Sequence, residues 1–282
     1  PTPKEEWEEV LPHEAKVKVE GIEEFEHYLA VFERQEGLRQ IRVLSLKDDE
    51  SHFITYDEPA YYVFGSSNPE FDSETLRFGY TSLVRPNTVY DYHIPSRKKS
   101  IVKEHEIPGG YNAAQYSSER VEATTEDGTK VPISLVYKKG IKKDGQNPLY
   151  LYGYGSYGIN TEAYFSANRI SMLDRGFIFA MAHIRGGADL GEPWYKAGKL
   201  LKKQNTFDDF IACAEHLIEE KYTDQQHLCA MGGSAGGLLM GAVTNQRPDL
   251  FKAIVAKVPF VDVLNTMLDP DLPLTVTEYE EW

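Results

Sequence analysis

Ser234 stands in a run that fits the G-x-S-x-G nucleophile elbow: Gly232-Gly233-Ser234-Ala235-Gly236. The apolar run Leu228 to Met231 before it reads as a buried strand, and Leu238 to Val243 after it as a helix. A sharp strand-to-helix turn holds its serine in a strained backbone conformation, and flanking glycines remove the Cβ atoms that would clash there. The same turn lifts the hydroxyl above the sheet. It aims the Ala235 N–H and the helix N-terminus at developing negative charge. The chemistry this predicts is acyl transfer, with Ser234 as nucleophile and Ala235 as an oxyanion donor. The plain alternative is a Gly-rich turn that carries an ordinary serine.

An elbow needs a sheet beneath it, and the sequence from about Tyr116 onward supplies one. Arg120–Thr125 and Val131–Tyr137 flank Asp127-Gly128, a two-residue hairpin signal. Pro148 to Tyr152 is a short strand running into Gly153-Tyr154-Gly155-Ser156-Tyr157-Gly158. A helix is expected over 163–175, with Gly176 at its C′ position. Phe177 to His183 reads as a buried strand, placed beside the nucleophile strand. Thr206 is the expected cap of the next helix, with Asp208 and Asp209 in its first turn and an apolar stripe from Phe207 to Ile218. Ala253–Val258 follows as another buried strand. Strands alternating with helices predict a parallel sheet with helices on both faces, with active groups at the carboxyl ends of the strands. Tyr154, His183 and Ser234 all fall there.

A serine needs a base, and in an α/β-hydrolase the triad runs Ser, then Asp or Glu, then His. All 8 histidines precede Ser234. His183 ends a neighbouring strand but comes in the wrong order and shows no orienting acid, so it reads as a packing residue. His216 lies on a helix and His227 at the start of a strand. The expectation is truncation, with the acid and the base beyond Trp282 and no activity in this chain alone.

Residues 1 to about 112 are all-β. Eight strands are expected: Ala15–Gly21, Tyr28–Arg34, Arg39–Leu46, His52–Tyr56, Tyr61–Phe64, Leu76–Thr81, Thr88–Ile94 and Ser100–Glu104. Turn signals such as Lys47-Asp48-Asp49 separate them. Four short strands per repeat is the rhythm of a β-propeller blade, with a β-sandwich as the alternative. Two blades do not close a propeller, so the blade reading has the chain starting inside a larger protein.

Composition narrows the function classes. The chain is 282 residues long, 41% hydrophobic and 26% charged, with a formal net charge of −14. That charge argues against nucleic-acid binding; on charge alone it fits solubility better than it fits a cationic substrate, which it suits weakly. Its two cysteines, Cys213 and Cys229, sit in apolar stretches and imply no disulfide framework. The first residues lack the apolar core of a signal peptide, and no apolar run is long enough to span a membrane. A cytoplasmic setting is expected. No His/Cys/Asp cluster has metal-ligand spacing, so neither metal nor cofactor is expected.

Four motifs resemble the prolyl oligopeptidase family of serine peptidases: Gly232-Gly233-Ser234-Ala235-Gly236-Gly237, Tyr152-Gly153-Tyr154-Gly155-Ser156-Tyr157-Gly158, His183-Ile184-Arg185-Gly186-Gly187 and Asn205-Thr206-Phe207-Asp208-Asp209. Thr277-Glu278-Tyr279-Glu280-Glu281-Trp282, Glu33 to Leu38 and Pro108-Gly109 resemble its oligopeptidase B branch. The resemblance implies a seven-bladed propeller capping an α/β-hydrolase domain, with residues 1–112 its last blades and 113–282 the first portion of the catalytic domain. It implies an endopeptidase that cuts short peptides after Arg or Lys, with no nucleic-acid or membrane partner and an oligomeric state left open. By resemblance Ser234 is the nucleophile, and the Tyr154 hydroxyl joins the Ala235 N–H in the oxyanion hole. Glu278 and Glu280 are the paired acids for a basic P1 side chain, the residue on the acyl side of the cut bond. Glu162 belongs to a second basic subsite whose partner acid is replaced here by Tyr164. Two rivals stand beside this reading. One is an acylaminoacyl-peptidase or esterase of the same fold, which paired carboxylates disfavour. The other is a non-catalytic homologue that acts as a binding module. If Glu278 and Glu280 are locally extended, their period of two puts both carboxylates on one face.

Overall fold

A computed structural model describes residues 3–48, 50–273 and 275–282; Asp49, in one expected turn, lies outside them. Eight strands come first: β1 (Val17–Glu24), β2 (Tyr28–Gln35), β3 (Leu38–Ser45), β4 (Ser51–Phe53), β5 (Tyr61–Gly65), β6 (Thr75–Ser82), β7 (Thr88–His93) and β8 (Lys98–Glu104). They form two antiparallel four-stranded meanders, β1-β2-β3-β4 and β5-β6-β7-β8. This is the blade arrangement and not a sandwich. Inward residues of both, including Phe32, Ile41, Val63, Phe78 and Tyr92, share one apolar cluster.

The remaining strands, β9 (Tyr116–Thr124), β10 (Lys130–Lys138), β11 (Leu149–Tyr152), β12 (Ile178–Ala182), β13 (Leu228–Gly233) and β14 (Ala253–Lys257), build a six-stranded sheet. Its order is β14-β13-β11-β12-β10-β9. The four strands β14, β13, β11 and β12 run parallel, whereas β10 and β9 add an antiparallel hairpin. The hairpin loop is three residues, not two. Thr125 and Thr129 still pair, and Gly128 supplies a φ of 82°.

Among the described residues six α-helices complete this part: α1 (Ala167–Leu173), α2 (Glu192–Lys196), α3 (Gln204–Glu219), α4 (Ala235–Gln246), α5 (Val263–Leu268) and α6 (Thr275–Glu278). Alternation along β12 explains why both faces are covered. Ile178, Ala180 and Ala182 pack with Phe210 and Leu217 of α3 and Leu239 and Val243 of α4. Phe179 and Met181 face the other way, onto Leu173 of α1 and onto Leu83 and Val84 of the second blade.

Three local expectations are corrected by tertiary contacts. The first helix starts at Ala167 instead of 163, because the preceding residues are tied to the blades: the Phe165 N–H donates to Thr81 Oγ1 at 3.1 Å. Thr206 is not a cap but lies inside α3, fully buried, donating to the carbonyls of Arg185 (2.8 Å) and Gly198 (3.1 Å). The strand that leads to His183 is not beside the nucleophile strand, since β11 separates them. Among the described residues no helix is long and apolar enough to cross a membrane.

Candidate active site

β13 ends at Gly233 and α4 begins at Ala235, leaving Ser234 alone at the corner with φ 55° and ψ −118°. Such backbone strain persists only where surroundings over-determine it. Here the Ser234 carbonyl accepts the N–H groups of Gly237 (2.8 Å), Phe260 (3.1 Å) and Leu238 (3.3 Å), and its own N–H donates to Lys257 at 3.0 Å. The flanking glycines have a steric cause. A Cβ on Gly232 would sit 2.0 Å from the Gly236 carbonyl oxygen, and one on Gly236 would sit 2.8 Å from that of Gly153. Ser234 itself is exposed, and Ala235, first residue of α4, has an N–H with no acceptor inside the helix.

The close approach of Gly236 to Gly153 brings the loop after β11 over the elbow, and Tyr154 follows Gly153. Tyr154 and Ser234 line the same cleft. Burial raises this phenol above its ordinary value, with the charges of Glu278 and Glu281 acting in the same direction, so it stays a protonated donor at neutral pH. Tyr152 packs instead against the α1 face of the sheet.

Ser234, Tyr154, Tyr157 and Glu278 line one cleft of 480 Å³, whose apolar walls include Phe260 and Met267. Glu278 is half-buried at the end of α6, and its Oε2 accepts the Tyr157 hydroxyl. Segment 278–280 is therefore a helix end and turn, not an extended stretch, and the expected pairing on one face is lost. Glu280 is exposed and does not line the cleft, whereas Glu281 is only 4% exposed. The Glu281 carboxylate accepts the Tyr157 N–H and the Tyr195 hydroxyl, each at 2.6 Å. Lys203 holds the same loop from the other side, donating to the Gly155 carbonyl and to Ser156 Oγ at 2.6 Å each. Burial pushes its ammonium down to about 8.

Glu162 is brought to a different place. It pairs with Arg34 of β2, whose buried side chain also bonds Glu20 at 2.9 Å. Burial raises the Glu162 carboxyl, and Arg34 opposes that shift. The acid is engaged by a blade and lies outside the cleft lining. His183 is likewise removed from Ser234. Its Nε2 meets Ser134 Oγ at 2.8 Å and its Nδ1 meets Asp189 at 3.0 Å. An orienting acid therefore does exist, but Ser134, His183 and Asp189 are all buried, so the trio is a polar strut that no substrate reaches.

Arg185 anchors its glycine loop. Its guanidinium donates to Asp209 at 2.6 Å and to Asp127 at 2.7 Å, and its N–H donates to Asp209 at 2.8 Å. Asp209 is fully buried, and removing one partner of a buried pair costs about 3–5 kcal/mol. Because half-exposed Asp127 still faces the guanidinium, Asp209→Asn is expected near the lower end, a loss of about 3 kcal/mol read from the urea midpoint. A change below about 0.5 kcal/mol would mean that Asp127 alone satisfies Arg185.

Sequence reasoning passed over Tyr157, Phe260, Met267 and Glu281. Only Tyr157 left a signal, as a non-glycine residue inside a Gly-rich loop; its φ is 60°.

The family model described as the prolyl oligopeptidase family matches residues 163–282, and that of the prolyl oligopeptidase N-terminal β-propeller domain matches residues 1–105. Dipeptidyl aminopeptidase BI of Pseudoxanthomonas mexicana is 45% identical over 282 residues, 100% of this chain and 39% of its own length. Protease 2 of Moraxella lacunata is 43% identical over 258 residues, 92% of this chain and 37% of its own. The solved structure of oligopeptidase B from Leishmania major aligns with a TM-score of 0.88 at 44% identity, covering 97% of this chain and 39% of that one. The chain thus spans about two fifths of the length of these relatives.

Proposed function

The chain belongs to the prolyl oligopeptidase family, and from that premise we propose that it carries the nucleophile, the oxyanion donors and the P1-binding acid of a serine endopeptidase that cuts short peptides after arginine or lysine. The convergence of Ser234, Tyr154 and Glu278 on one cleft is the observation that carries this reading. Ser234 Oγ attacks the scissile carbonyl while a histidine outside these 282 residues takes its proton, oriented by an aspartate also outside them. The carbonyl oxygen becomes an oxyanion held by the Ala235 N–H and the Tyr154 hydroxyl. Collapse breaks the C–N bond, the histidine returns its proton to the leaving amine, and water then hydrolyses the Ser234 ester by the same route. The two blades belong with a propeller that covers the cleft, the boundary falling between β8 and β9.

Specificity rests on Glu278. A P1 side chain lays its methylenes along Phe260 and Met267 and brings its cation to the carboxylate. Glu280, outside the lining, adds only to the negative field. In the whole enzyme, Glu278→Gln is expected to lower kcat/KM on a P1-arginine substrate by about 10- to 10³-fold, with a much smaller change on a neutral P1 substrate. Equal losses on both would remove Glu278 from the specificity pocket and favour the esterase or acylaminoacyl-peptidase reading.

The name of one relative, a dipeptidyl aminopeptidase, supports a second reading. An acid at the cleft would then meet the α-ammonium of a free peptide end. Acetylating the substrate's amino end separates the two: turnover survives for an endopeptidase and is lost for the aminopeptidase.

A further inference from the structure

We propose that Glu281 is a positioning residue: its buried carboxylate sets Tyr157, and through Tyr157 both the loop that carries Tyr154 and the carboxylate of Glu278. The Glu278 half of this rests on the P1 assignment above; the Tyr154 half does not.

Glu281 lines no part of the cleft, yet all its polar atoms are engaged. Oε1 accepts the Tyr157 N–H, Oε2 accepts the Tyr195 hydroxyl, and its carbonyl accepts the Leu200 N–H at 3.2 Å. A carboxylate accepting a backbone N–H makes a charge-assisted bond, stronger than a neutral one. That bond falls on Tyr157, whose left-handed φ of 60° is a strained choice for a residue with a side chain.

Donor chemistry fixes the direction of the relay. An indole N–H can only donate, and Trp282 Nε1 lies 3.1 Å from the Tyr157 hydroxyl oxygen. That oxygen therefore accepts from Trp282, and its proton is committed to Glu278 Oε2. Lys199 Nζ likewise lies 2.9 Å from the Tyr195 hydroxyl, so the Tyr195 proton is committed to Glu281. Neither tyrosine can turn without abandoning a bond.

The opposite flank of the loop is held by Lys203, which binds Gly155 and Ser156 and lies 4.9 Å over the Trp282 ring. Gly155, Ser156 and Tyr157 are pinned from both sides, and Tyr154 is the residue immediately before them. Withdrawing the Glu281 charge releases one side of that grip and leaves Ser234 untouched.

The test is a double-mutant cycle in the whole enzyme, read on paired P1-arginine and neutral P1 substrates. Glu281→Gln keeps the shape and removes the charge. It is expected to lower kcat on both substrates by about 10- to 100-fold, the size of a lost charge-assisted bond, and to raise KM further on the arginyl substrate. In a Tyr154→Phe background the same change should cost less than about twofold on the neutral substrate, because its effect runs through a hydroxyl already gone. Equal loss in both backgrounds, or no loss in either, would overturn the proposal. If Glu281→Gln fails to fold by near-ultraviolet circular dichroism, Tyr195→Phe replaces it in the same cycle with the same readings. Should Glu278→Gln lack an arginyl-selective loss while the coupling to Tyr154 persists, the P1 assignment falls and the positioning role stands.

Discussion

Replacing Ser234 by alanine is expected to lower kcat in the whole enzyme by about 10⁶-fold, the scale of losing a triad member, with KM and stability nearly unchanged. The reasoning starts from the backbone. Four hydrogen bonds through the Ser234 N–H and carbonyl hold the corner, and none of them uses the hydroxyl. Alanine therefore inherits the same strained conformation, and the exposed side chain leaves no cavity when its oxygen is removed. Only the nucleophile goes. A loss below about tenfold would return Ser234 to an ordinary serine in a Gly-rich turn and leave the binding-module alternative ahead. A large loss accompanied by unfolding would mean that the hydroxyl serves the corner itself.

Tyr154→Phe should carry the next largest effect, about 10²- to 10³-fold in kcat, the size of one lost oxyanion donor. The ground-state carbonyl gains little from this hydroxyl and the oxyanion gains much, so KM should move little. Burial already keeps the phenol protonated, so the effect should be the same across neutral pH. Tyr152→Phe is the control, because Tyr152 packs on the far side of β11 and does not line the cleft. A matching loss there would mean that the wrong tyrosine has been assigned; an unchanged kcat in Tyr154→Phe would make Tyr154 a packing aromatic.

Local physics made the elbow readable. Glycines at Gly232 and Gly236 answer contacts with residues close in sequence or on the adjoining strand, and a buried strand followed by a helix leaves a strong pattern. The blades were readable for a similar reason, since antiparallel meanders join neighbours in sequence through short turns. What escaped was decided at a distance. Glu162 looks like a free acid until Arg34, 128 residues earlier, is folded against it. The start of α1 is decided by a blade threonine, and Thr206 is drawn inside α3 by carbonyls of the Arg185 and Gly198 loops. Among Glu278, Glu280 and Glu281, the deciding fact is a short helix, α6, that turns the first into the cleft, leaves the second in solvent and buries the third. Four residues are too few to carry a helical period, so spacing alone favoured the extended reading.

The central claim is that Ser234 is an activated nucleophile facing a pocket for a basic side chain, and covalent capture tests it most directly. The whole enzyme is treated with a diphenyl phosphonate whose P1 group is a guanidinium and with its neutral P1 analogue, and the adduct is located by peptide mass mapping. The account predicts one adduct, on Ser234, formed much faster with the guanidinium reagent, absent in Ser234→Ala and slowed in Glu278→Gln. An adduct on any other residue, or none on Ser234 in an enzyme that still turns over substrate, would contradict it.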